Sequence, residues 1–179
     1  MLTSMHVLVA TAGALNPEPV VEFARHLVGG TGYVTVLTVI EVPHSFLEDL
    51  NSGDWHPLHD DRQPEANVAA KYLEERGKRL TEPLRQALQT ARIPCEVVIL
   101  EGTDAAVSIS TAADELRADV VLLGATKQIF NQDAWESISA RVMLESGRPV
   151  LVLPEARKTI DNLDHLDTVA EPVEPSHAT

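Results

Sequence analysis

A single cysteine, Cys95, stands among 179 residues. That excludes an intrachain disulfide and fits a reducing compartment, where a lone thiol serves as a packing residue. Basic residues are scarce as well, 14 Lys and Arg against 27 Asp and Glu, for a formal charge of −13. Phosphate affinity needs clustered cations, so no nucleic-acid partner is expected, and docking on anionic membranes is disfavoured. No apolar run approaches the roughly twenty residues that span a bilayer. Met1-Leu-Thr-Ser-Met-His6 carries neither the basic region nor the apolar stretch of a signal peptide. The expected location is the cytoplasm, and no membrane partner is expected.

Catalytic signatures are missing too. The chain has no G-x-S-x-G elbow, no H-E-x-x-H, no C-x-x-C and no G-x-x-x-x-G-K-[ST]. Gly29-Gly30-Thr31-Gly32 precedes a strand pattern rather than a helix, so it reads as a turn and not as a dinucleotide fingerprint. Scattered Ser, His and Asp residues do not assemble into a triad from spacing alone. A non-catalytic protein is the expectation.

What the chain does have is a globular composition, 44% hydrophobic and 23% charged, and length for one ordinary domain with a buried core. Its apolar runs are short and rich in Val, Ile and Leu, with helical patterns between them. His6-Val-Leu-Val-Ala-Thr11 reads as a first strand, followed by a loop in which Asn16 caps a helix with Pro17 at its first position. Val20, Val21, Ala24 and Leu27 recur at helical spacing, and Gly29-Gly30 ends that helix. Tyr33 to Ile40 is the second strand, and residues 43–64 are polar without a convincing period. Ala66 to Ile93 is helical, with an interruption expected at Gly77 or Pro83.

Glu96 to Leu100 makes a third strand. Asp104 then caps a helix whose Ala105, Ile109, Ala112 and Leu116 share one face. Asp119 to Gly124 and Arg148 to Pro154 supply the fourth and fifth strands, joined by a helix from Ser137 to Ser146 with Gly147 expected at a left-handed position behind it. Strands with little polar alternation are buried on both faces, and regular strand–helix alternation gives an α/β doubly wound parallel sheet. The domain is expected to span residues 1–154. Residues 155–179 hold six acids against two bases with no sustained apolar period, and read as a flexible acidic tail.

In such a sheet, ligands bind outside the carboxyl ends of the strands where the strand order reverses. If the first strand is central with the fourth beside it, the crevice falls between Thr11–Asn16 and Gly124–Ser139. Helix N-termini there favour anions, Lys127 adds a positive charge, and Ser137 serves equally well as a phosphate donor or as an ordinary N-cap.

Across residues 5–154 the sequence is similar to the universal stress protein (UspA) family. The resemblance is carried by His6-Val-Leu-Val-Ala-Thr11, Val36-Leu-Thr-Val-Ile40, Asp119-Val-Val-Leu-Leu-Gly-Ala125, Ser137-Ile-Ser-Ala-Arg-Val142 and Pro149-Val-Leu-Val-Leu153. It implies a five-stranded sheet of order 3-2-1-4-5 with helices on both faces, the adenine nucleotide alpha hydrolase-like arrangement. It also implies a homodimer joined through the fifth strand, at Val150, Leu151, Val152 and Leu153.

ATP-binding members carry an acid at the end of strand one and a G-x2-G-x9-G-[S/T] pattern after strand four. Here Ala12 stands in place of the acid, between Thr11 and Gly13. Gly124 is kept, but Lys127 and Glu136 occupy the other two glycine positions, with one residue fewer between them. Ser137, Ile138 and Ser139 match the closing positions, and Val39 matches one whose backbone contacts adenine. Glycine lets backbone N–H groups approach phosphate, and a Glu carboxylate repels it, so a standard ATP site is not expected.

The resulting expectation is a non-catalytic stress-response protein acting through dimerisation and contacts with a regulatory protein partner, its nucleotide pocket degenerate. Two rivals stand beside it. One is a sensor in which the same residues hold ATP, AMP or a cyclic dinucleotide. The other is a metal-dependent enzyme using His56, His59, Asp60 and Asp61, a dense set of nitrogen and oxygen donors, against the plainer reading of a solvated acidic loop.

Overall fold

The structure, a computed structural model, describes residues 4–41, 65–125 and 137–154. Within them the chain alternates β1 (His6–Ala10), α1 (Pro17–Val28), β2 (Tyr33–Ile40), α2 (Glu65–Thr90), β3 (Cys95–Glu101), α3 (Ala105–Glu115), β4 (Val120–Gly124), α4 (Ile138–Glu145) and β5 (Val150–Leu153). All pairings are parallel and the order is β3-β2-β1-β4-β5, as expected.

Two cores lie on opposite faces of the sheet, because successive strand residues point to opposite sides. Val7, Val9, Val34, Val36 and Leu122 pack under α1 and α2 against Val20, Ala24, Leu84 and Leu88. Leu8, Ala10, Leu37, Val121 and Leu123 pack under α3 and α4 against Ala106, Ile109, Ala113 and Val142. Cys95 packs partly buried at the margin of the first core, and burial pushes its thiol pKa up.

Local signals account for the helix starts. Asn16 accepts a hydrogen bond from the Glu18 N–H at 3.2 Å, with Pro17 at the first helical position. Two expectations need correction. The interruption at Gly77 or Pro83 does not occur: α2 is one helix of 26 residues. Gly77 is buried at the crossing of α2 over β3, where a Cβ would collide with the side chain of Ile99, so its role is close packing. Pro83 is exposed and forfeits one backbone bond, a loss the flanking turns absorb. Nor is Gly147 left-handed, since α4 ends at Ser146 in an extended conformation with ψ 129°.

Among the described non-glycine residues, positive φ falls on Arg92 (φ 57°) and Arg117 (φ 54°). Each closes a Schellman turn, with Ile93 N–H on Leu88 O and Ala118 N–H on Ala113 O, both at 2.9 Å. Ile93 and Ala118 are buried, and their burial holds the two arginines in a conformation that glycine would adopt at lower cost.

At the β5 edge, Val121 N–H donates to Pro149 O and Ala125 N–H to Leu153 O. Odd-numbered residues of β5 therefore face β4, while the backbone N–H and C=O groups of Val150 and Val152 point away from the sheet.

Candidate functional site

β1 and β4 are neighbours at the centre of the sheet, yet α1 leaves toward one face and α4 belongs to the other. The two connections diverge, and a crevice opens between the strand ends. Its walls are Ala10, Thr11, Ala12, Leu37, Val39, Ala105, Ile109, Leu123, Gly124 and Ile138, and it encloses about 110 Å³. Almost every wall is apolar. Thr11 is tied down, its N–H on Leu37 O at 2.9 Å and its hydroxyl accepting from Gly13 N–H at 2.9 Å. Gly13 takes φ 87°, and a Cβ there would also press on Leu80 at 2.8 Å, so the turn after β1 requires glycine.

Of the residues expected from sequence, Thr11, Ala12, Val39, Gly124 and Ile138 line this one crevice. Ser137 is the N-cap of α4, its hydroxyl accepting from Ala140 N–H at 3.2 Å. Ser139 is buried with its Oγ 3.3 Å from that of Ser137. The capping reading of Ser137 is therefore realised, its oxygen accepting one helix N–H. Lys127 and Glu136, the cluster of His56, His59, Asp60 and Asp61, and residues 155–179 lie outside the described residues. Among the described residues, no group of three or more His, Cys, Asp or Glu side chains is arranged to hold a metal.

Sequence reasoning missed a second hollow that shares Val39, Ala105 and Ile138 with the crevice. It measures about 380 Å³ and adds Glu41, Gly102, Thr103, Asp104 and Arg141. Here Asp104 does two things at once. Its Oδ1 accepts from Ala106 N–H at 3.0 Å and Val107 N–H at 3.2 Å, capping α3. It also receives Arg141, Nη1 to Oδ1 at 3.0 Å and Nη2 to Oδ2 at 2.9 Å. The Val107 N–H first, and then Arg141, hold this carboxyl below the usual aspartate range. Arg141 also reaches Glu145, through Nε at 3.0 Å and Nη2 at 2.9 Å, and both carboxylates raise its pKa. Asp104 was legible as a cap, but nothing in its spacing to Arg141 signals the pair.

A larger hollow of about 660 Å³ lies elsewhere, between α2 and the β3 edge. It is a surface groove whose Arg85 is paired with Glu82 and whose Lys78 is paired with Glu74. It is remote from the point where the strand order reverses.

Fold and crevice together define the doubly wound α/β proteins whose ligand site lies between the first and fourth strands. The family model of the universal stress protein family matches residues 3–154, and the chain belongs to that family. Comparison with curated proteins found no match. Among solved structures, a universal stress protein family member from Burkholderia pseudomallei is similar at 16% identity and TM-score 0.57, covering 86% of this chain and 98% of its own. A family protein from Arabidopsis thaliana, solved with AMP bound, is similar at 14% identity and TM-score 0.54, with 86% and 93% covered. A universal stress protein solved in complex with cAMP is similar at 17% identity and TM-score 0.51, with 86% and 98% covered. At these identities the likeness is one of fold. No described helix is long and apolar enough to cross a membrane.

Proposed function

We propose that this protein is a non-catalytic, regulatory member of the universal stress protein family, acting as a homodimer and through contacts with protein partners, with a crevice that does not hold ATP in the standard manner. The observation that carries this reading is the chemistry at the crevice. Ala12 stands two residues after β1, where ATP-binding relatives carry an acid, and the Ser137 oxygen accepts from its own helix. A triphosphate would find a slot whose walls are almost all apolar.

Dimerisation through β5 is supported by the outward N–H and C=O groups of Val150 and Val152, a ready template for strand pairing. The acidic segment 155–179 lies beyond the matched domain and is read as a separate tail. The lone cysteine fits a cytoplasmic setting.

A second reading, an adenine-nucleotide sensor, draws on the neighbours solved with AMP and cAMP and on the crevice's position. The discriminating experiment is the ultraviolet spectrum and mass of small molecules released when the purified protein is denatured, followed by titration of the emptied protein with ATP, AMP and cyclic dinucleotides. The expected result is no released nucleotide and no saturable ATP binding. Co-purified ATP would overturn the proposal. Elemental analysis tests the metal-dependent rival, with bound zinc, iron or manganese as the result in its favour.

A further inference from the structure

We propose that His6, Thr35 and Glu96 form a proton-driven hydrogen-bond switch across β1, β2 and β3, at the end of the sheet opposite the crevice. With His6 protonated, donation runs from His6 through Thr35 to Glu96. With His6 neutral, the Thr35 hydroxyl turns back to His6 and Glu96 loses its donor.

The three side chains form a row because their strands pair in register. Thr35 stands between Leu8 and Glu96, and His6, two residues before Leu8, points to the same face of the sheet. His6 Nε2 lies 2.8 Å from the Thr35 hydroxyl, which donates to Glu96 Oε1 at 2.8 Å. On the other side of the ring, His6 Nδ1 is 3.1 Å from the Leu116 carbonyl. His6 is 4% exposed and Thr35 is fully buried, whereas Glu96 reaches solvent.

The proton count makes this row a switch. Its three contacts need three protons. A carbonyl only accepts, so Nδ1 carries one of them. An ionised carboxylate only accepts as well, so the Thr35 hydroxyl gives its single proton to Glu96. Nothing is then left for Nε2, and that contact requires a second proton on the ring. Neutral His6, Thr35 and ionised Glu96 supply two protons between them, and the imidazolium supplies the third. When that proton leaves, the Nε2 lone pair takes the Thr35 proton and Glu96 faces an acceptor. The Nδ1 proton stays on Leu116 in both forms, so the ring is held and the hydroxyl rotates.

The surroundings act on the ring in both directions. Tyr33 stacks on His6 with centroids 4.2 Å apart and an interplanar angle of 13°, offering its π face to a cation. Asp119 Oδ2 accepts from the His6 backbone N–H at 2.7 Å, which brings a second carboxylate to this strand end. Burial opposes the charge, and the turn that carries Leu116 adds Glu115 before it and Arg117 after it. Opposed influences on imidazole, whose charge changes between about pH 5 and 8, are what a reversible switch needs. The consequence falls on β3, an edge strand of the sheet. Its side-chain tie from Glu96 to β2 exists only in the protonated form.

Imidazole and carboxyl NMR of the full chain, titrated from about pH 5 to 8, tests this. Below the His6 midpoint both ring nitrogens should carry protons, and above it Nδ1 alone. The Glu96 carboxyl carbon should shift at that same midpoint. Thr35→Val keeps the side-chain shape without the hydroxyl and should abolish the Glu96 shift. Glu96→Gln, at an exposed position, serves even if the buried variant fails to fold. Its amide can turn and donate to Thr35, which satisfies neutral His6, so the midpoint should fall by about one pH unit. A neutral His6 protonated on Nε2, a Glu96 shift that survives in Thr35→Val, or an unmoved midpoint in Glu96→Gln overturns the proposal.

Discussion

Arg141 on α4 grips Asp104, the cap of α3, through two parallel contacts of 3.0 and 2.9 Å, so one carboxylate closes a helix end and joins two helices. The two functions separate by mutation. Asp104→Asn keeps a capping oxygen but loses the ion pair, whereas Asp104→Ala loses both. Thermal melts at neutral pH should rank wild type above Asp104→Asn and Asp104→Ala lowest, with several degrees between the extremes. Equal melting temperatures for the Asn and Ala variants would show that the cap contributes nothing.

Gly77 makes the opposite case, where a residue poor for helices is required by its neighbour. In an isolated helix Gly77→Ala would gain up to about 1 kcal/mol. Here the new methyl meets the side chain of Ile99, and overpacking of this kind costs about 1–3 kcal/mol. Chemical denaturation should find Gly77→Ala less stable than wild type. Trimming the neighbour, in Gly77→Ala with Ile99→Ala, should give a double mutant more stable than the two single losses added together.

Glu82 supplies a pH dependence with a defined sign. Hydrogen bonds from Arg85 first, then Gln86, pull its pKa down from 4.5 to about 2 in the folded chain. A depressed folded pKa contributes stability above the unfolded value and loses it as the pH falls through the folded one. The stability difference between wild type and Glu82→Gln should hold constant above about pH 5 and decline between about 4.5 and 2. A pH-independent difference across that interval would mean that the Arg85 contact is not formed in solution.

Val152→Pro tests strand pairing at the β5 edge, replacing a partly buried side chain at the margin of the second core. Its amide points away from β4, so proline removes a donor from the open side and spares the ladder inside the sheet. Sedimentation should report a dimer for wild type and a monomer for the variant, with unchanged far-ultraviolet dichroism. A variant that remains dimeric at low micromolar concentration would move the interface elsewhere.

Much of the fold was legible because its signals are local. Asn16 before Pro17 and Asp104 before Ala105 marked helix starts through side-chain oxygens that reach N–H groups only two or three residues on. Apolar runs of five to eight residues marked strands buried on both faces, and those runs became β1 and β2. Gly77, Pro83 and Gly147 misled because their effects depend on what stands opposite. Gly77 faces Ile99, Pro83 faces solvent, and the left-handed turns landed on Arg92 and Arg117, where buried Ile93 and Ala118 hold them.

By itself, then, the sequence determined the order of elements and a parallel sheet, since periodicity and caps act within a few residues, while the strand order came from the family resemblance. Only the tertiary structure decided which charges stand beside the crevice. Glu41, Asp104 and Arg141 come from three segments far apart in the chain, and their charges meet because β2, α3 and α4 converge on one end of the sheet. Electrostatics acts through space, and no spacing along the chain records it.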